Sequence, residues 1–185
     1  NTTDKVPTTV DQATTKNKAF ATEITRVYKL LFPQTPWTKQ NTKDLAGNTA
    51  FREEKLKEIF SAWLNLEFAM FKIGRKAIEN GPDNVTEEEK ATHLKGQKIR
   101  LEMTKLIRVV AQHGTQENKS AIYTTYLAHQ EKHKDNLDYM LRIARYTSEY
   151  QNSVNITSEA KTIATSEDIK QDVAAWEALF RFANQ

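Results

Sequence analysis

Apolar residues recur every three or four positions along most of the chain, the spacing that places them on one face of an α-helix. We therefore predict five helices, over about 11–32, 49–79, 86–113 and 116–151, and from Ser158 or Ser166 to the C-terminus. The two prolines of FPQTPW end the first helix, and a loop at 33–48 follows it. The predicted fold is therefore all-α. Since short connections make long helices antiparallel neighbours, we expect an antiparallel up-and-down bundle of four long helices with the N-terminal helix packed alongside.

The second predicted helix is apolar around most of its circumference. Two apolar stripes, at 56–77 and 60–78, merge into an arc of about 220° when residues are placed at 100° intervals. Such a helix must be surrounded, so we place it at the centre of the domain. Gly74 lies within the arc and is expected to let another helix approach closely. Glu67 also lies there, although carboxylates are rarely buried unless they are paired.

Residue counts from the turns predict a polar layer around Glu67, because each helical residue rises about 1.5 Å. The neighbouring helices contribute Glu102, His129, His133 and Asp172 to this layer. We expect His133 within the apolar seam of its helix and His129 at the edge. The favoured interpretation is a structural layer in which Glu67 meets His133 or a tyrosine hydroxyl. A metal site with Glu67 and His133 as weak candidate ligands is the alternative.

A stripe of large side chains follows the back of the fourth predicted helix. It consists of Tyr139, Ile143, Tyr146 and Tyr150, spaced by four, three and four residues, with Arg142 beside it. Tyrosine and arginine are enriched at protein interfaces. We therefore predict that this stripe is exposed and binds a partner protein. In the alternative interpretation, the first helix covers it.

Composition narrows the range of functions. The 185 residues are 38% hydrophobic and 28% charged, as in soluble globular proteins, and no apolar run approaches the roughly 18 residues of a membrane span. The net charge of +3 is spread along the chain, which argues against a nucleic-acid surface. The chain has no cysteine, so disulfides and thiolate chemistry are excluded. Since no catalytic or nucleotide-binding motif is visible, we predict a protein that is not an enzyme and has no cofactor.

Residues 1–18 are rich in threonine and poor in apolar side chains, whereas 19–185 form one predicted domain. We interpret 1–18 as a leader that tethers the domain. The predicted function is therefore a helical binding protein, secreted or displayed at the cell surface, with a protein partner. Its general plan is similar to that of small helical lipoproteins of bacterial pathogens. A bundle that binds a metal or small ligand in its polar layer is one alternative, and a subunit of a homo-oligomer or filament is another.

Overall fold

The computed structural model of the protein describes residues 10–164, apart from the side chains of residues 10–16, 162 and 163. Over this range the chain is helical and contains no strand, which confirms the predicted all-α class for these residues. The helices are α1 (Val10–Leu31), α2 (Lys39–Gly47), α3 (Thr49–Asn80), α4 (Glu87–His113), α5 (Gln116–Lys132), α6 (Leu137–Val154) and α7 (Ser158–Ala164), with a 3₁₀ turn at Pro82–Asn84 between α3 and α4. Most of the predicted fifth helix, including Asp172, lies outside the described residues.

Helix α3 forms the centre of the domain, as its wide apolar arc predicts. It packs against α1, α2, α4 and α5. Several of its large apolar side chains are fully buried, among them Leu56, Ile59, Phe60 and Leu64. No helix in the described part of the chain is long and apolar enough to cross a membrane.

The order of the helices around α3 differs from a simple up-and-down bundle. Helix α4 runs antiparallel to α3, as shown by the Arg100–Glu67 and Lys76–Glu89 ion pairs. Helix α5 runs parallel to α3 and packs against it, since Phe60 contacts Tyr126 and Phe68 contacts His133. Helix α6 returns between α4 and α5. Although α4 and α5 are consecutive in sequence, they make little contact with each other and pack mainly on other helices.

The prediction of one continuous helix over 116–151 is wrong. Helix α5 ends at Lys132 and α6 begins at Leu137. The side chain of Asn136 accepts a hydrogen bond from the Tyr139 amide at 3.1 Å and so caps α6. The chain reverses at this cap, and the Tyr150 hydroxyl donates to the Lys119 carbonyl at 2.9 Å. Helices α5 and α6 therefore form a hairpin.

The predicted loop at 33–48 contains a short helix, α2. Thr38 caps its first turn, and Leu45 is fully buried. The buried Arg52 of α3 closes its other end by donating to the carbonyls of Leu45 at 2.9 Å and Ala46 at 3.1 Å. This helix was missed because nine residues show too little periodicity to separate a helix from a polar loop.

Helices α3 and α4 approach each other closely at Gly96. A Cβ atom there would overlap the thioether of Met70 on α3. The expectation of a close approach at Gly74 is wrong, because a Cβ atom there would meet no other atom within 4 Å.

Candidate binding groove

The carboxylate of Glu67 is buried at the junction of three helices, with only 1% of the residue exposed. On its own helix it accepts a hydrogen bond from the Trp63 indole at 3.1 Å. Arg100 of α4 donates twice, from Nε at 2.8 Å and from Nη2 at 2.6 Å. The Tyr146 hydroxyl of α6 donates at 3.0 Å. Each carboxylate oxygen therefore receives two donors, and we call these four residues the Glu67 cluster.

Hydrogen bonding and burial shift the pKa values of two donors in the Glu67 cluster. Hydrogen bonds from Arg100 to Glu67 raise the pKa of the guanidinium, which therefore stays charged. Burial, together with the nearby Glu67 charge, raises the pKa of Tyr146 to about 12, so its hydroxyl stays protonated and can donate. One carboxylate thus faces one guanidinium and two neutral donors.

A groove of about 540 Å³ lies between α4 and α6, directly over this cluster. Aromatic rings form its floor: the centroids of Tyr126 and Tyr150 are 5.1 Å apart, and Trp63 stands 5.8 Å from Tyr146. Its remaining lining includes apolar Met103, Ile107 and Ala111 and polar Arg100, Arg108 and Glu149. An apolar floor beneath a few polar groups is the usual composition of a binding site.

The two histidines lie elsewhere, and their predicted positions are reversed. His129 is buried, with 6% exposed, and its Nε2 lies 2.6 Å from the Tyr139 hydroxyl. Burial lowers the pKa of His129 to about 3. His133 caps the C-terminus of α5, where it is half-buried, and its ring centroid is 4.0 Å from that of Phe68. We call His129, His133, Tyr139 and Phe68 the His129 cluster.

The predicted single polar layer does not form. Glu67 bonds Tyr146, one of its two expected partners, but not His133. Glu102 is half-buried on α4 and pairs with Arg26 of α1 and with Lys105. Asp172 is outside the described residues. Within the described range no group of three or more histidine, aspartate or glutamate side chains is placed to hold a metal ion.

The predicted tyrosine stripe is largely buried, so the expectation that it is exposed is wrong. Tyr139, Ile143 and Tyr150 are at most 1% exposed, because the α5–α6 hairpin turns them inward. Tyr146 is half-buried and lines the groove, and Arg142 is exposed with its guanidinium 5.3 Å from the Phe71 ring centroid. Partner binding itself stays a prediction.

Sequence reasoning missed Arg100 and Arg108. Arg100 lies beside the buried Ile99, and Arg108 lies two turns further along α4. The available signal was position: Arg100 falls within the stretch of α4 that residue counting places level with Glu67.

The chain matches no protein-family model, no curated protein and no solved structure. Its function is therefore inferred from its own residues.

Proposed function

We propose that this protein is a non-enzymatic, extracellular or surface-displayed helical binding protein, and that it binds a partner protein in the groove between α4 and α6. The observation that carries the proposal is the groove itself, in which the half-buried Tyr146 and Arg100 and the exposed Arg108 lie over buried aromatic rings. Tryptophan, tyrosine and arginine are the residue types that supply most binding energy at protein interfaces. The placement outside the cell rests on the threonine-rich residues 1–18, which suit a tether.

The Glu67 cluster supports this proposal because it holds the groove in one arrangement before any partner arrives. One carboxylate fixes Trp63, Arg100 and Tyr146, each of which also lines the groove. Side chains that are already ordered lose little conformational entropy on binding. The groove is thus preorganised for a partner.

The length of the groove suits a helical segment of the partner. The lining residues of α4 run from Arg100 to Gln112, about 18 Å along the helix axis at 1.5 Å per residue. That distance equals roughly three helical turns, and an amphipathic helix binds such grooves through apolar residues spaced three or four apart.

The proposal is tested by selecting peptides from a displayed library of helical sequences on the immobilised full-length chain. The variant Ala111→Trp fills the groove from its α4 wall. Its matched control, Ala128→Trp, places the same side chain at an exposed position of α5 that does not line the groove. Circular dichroism checks that both variants fold.

We expect selected peptides to bind the wild type and Ala128→Trp equally, and to bind Ala111→Trp at least tenfold more weakly. The proposal is wrong if no sequence is enriched. It is also wrong if the enriched peptides bind Ala111→Trp as tightly as they bind the wild type.

A further inference from the structure

The α4 side of the groove carries more positive charge than its neighbours neutralise. From Lys90 onward α4 has six basic residues and one acidic residue, namely Lys90, Lys95, Lys98, Arg100, Lys105 and Arg108 against Glu102. Glu87 neutralises Lys90, Glu67 neutralises Arg100, and Glu102 is shared between Arg26 and Lys105. Within the described residues Arg108 has no ion pair, and it is exposed at the groove.

The α6 side has a different charge. Glu149 lines the groove there and has no ion pair among the described residues. Exposed Arg142 lies about one turn before Tyr146 on the same helix and does not line the groove. A helix lying in the groove would therefore meet a cationic edge along α4 and a carboxylate on α6.

Apolar side chains extend the α4 edge away from the groove. Leu94 and Leu101 are 59% and 69% exposed. Together with Lys98, Lys105 and Arg108 they are spaced by alternating steps of four and three residues, which places all five on one stripe of α4. Arg108 belongs both to this stripe and to the groove, so the two surfaces are continuous.

We infer that the segment occupying the groove is an acidic amphipathic helix of a partner protein. The inference rests on the proposed function and adds the chemistry of the partner. The apolar residues of that helix pack in the groove. Its carboxylates lie at the α4 edge, where Arg108 lines the groove and the basic stripe continues to Lys105 and Lys98. Charge complementarity of this kind determines which partners are accepted and in which orientation they bind.

The inference is tested with the same peptide library, selected in parallel on wild type and on the double variant Lys98→Glu/Arg108→Glu. Arg145→Glu is the control, because Arg145 is an exposed arginine of α6 that does not line the groove. We expect wild type to enrich peptides with aspartate or glutamate beside leucine, phenylalanine or tryptophan. Their affinity should fall at least tenfold on the double variant, change less than twofold on Arg145→Glu, and fall with added salt because salt screens the exposed charges. The double variant should enrich basic peptides instead.

The possible failures separate the inference from the proposed function. If enriched peptides show no acidic preference but still lose binding to Ala111→Trp, the groove binds a partner and the inference is wrong. If no peptide is enriched, both are wrong. If sedimentation shows a concentration-dependent mass that Ala111→Trp abolishes, the occupant is a second copy of this chain, and the inference is again overturned.

Discussion

The Glu67 cluster and the His129 cluster both bury polar side chains inside the bundle, but they do so by opposite means. Glu67 forms an ion pair with Arg100 and receives four hydrogen bonds from donors on α3, α4 and α6. His129 has one short contact with the Tyr139 hydroxyl, and burial lowers its pKa to about 3, so it is neutral at physiological pH. A buried carboxylate needs several donors, whereas a buried histidine can avoid the cost of a charge by releasing its proton.

This difference assigns different structural roles to the two clusters. The Glu67 cluster ties α4 and α6 to the central helix and orders the wall of the groove. The His129 cluster joins α5 to α6 close to the turn between them and stabilises the hairpin. Substitutions in the first cluster should therefore affect stability and binding together, and those in the second should affect mainly stability and its pH dependence.

The largest effect is expected when the charge balance of the Glu67 cluster is broken. Arg100→Met leaves the carboxylate buried without its cation, and we expect the free energy of unfolding to fall by about 3 kcal/mol. This figure is at the low end for breaking a buried ion pair because part of Arg100 reaches solvent. Urea denaturation measures the change.

The double variant Glu67→Gln/Arg100→Met supplies the control for this prediction. It removes the anion as well as the cation, so it should be more stable than Arg100→Met alone. A loss below about 1 kcal/mol in Arg100→Met would place the pair among ordinary surface ion pairs and contradict the comparison.

The next largest effect is a pH dependence in the His129 cluster. The pKa of His129 is about 3 in the folded state, against an ordinary value of 6.5, so between these pH values the unfolded chain binds more protons. Its contribution to stability is complete above pH 6.5 and is lost as pH falls towards 3. At about 1.4 kcal/mol per pH unit, the loss is about 2 kcal/mol between pH 6.5 and pH 5.

The measurement is the free energy of unfolding in urea at pH 7 and pH 5, for wild type and His129→Gln. The variant should lose less stability than wild type between the two pH values, whatever its stability at pH 7. His93→Gln, on the half-buried His93 of α4, is the control and should leave the wild-type difference in place. If wild type and His129→Gln lose the same free energy of unfolding between pH 7 and pH 5, His129 does not cause the pH dependence. That result would contradict the difference drawn between the two clusters.

The sequence predicted the long helices well because their signals are local. The apolar period and the caps place α1, α3 and α4 within two residues of their observed ends, and Thr86 forms the expected cap with Glu89. The break at 133–136 was not predicted. Its cap at Asn136 is a single-residue signal, and the apolar residues Leu137 and Met140 continue the preceding period across it. That single error placed the tyrosine stripe on the wrong surface.

The burial of Glu67 was predictable, but its ion-pair partner was not. The wide apolar arc of α3 requires that any residue within it is buried, whatever its charge. The partner depends on which side of α4 faces α3. Arg100 and Glu102 are two residues apart, so they project from different sides of the helix, and Glu102 turns towards Arg26 of α1 instead. The apolar periodicity of a sequence thus predicts the position of a residue along the helix axis better than the direction in which its side chain points.

The smallest effects concern how closely α3 is packed, first beside the Glu67 cluster and then further along the helix. Near the Glu67 cluster, Gly96→Ala places a methyl group against Met70, whose sulfur lies 3.9 Å from Nη2 of Arg100. We expect a loss of about 1 kcal/mol, the low end for overpacking because a methionine side chain can adjust. Gly74→Ala, further along α3, meets open space and should instead stabilise by about 0.5 kcal/mol, since alanine favours the helix. Thermal and urea unfolding of both variants measures the two effects. A Gly96→Ala variant as stable as wild type would show that close packing of α4 on α3 is not what holds Arg100 against Glu67.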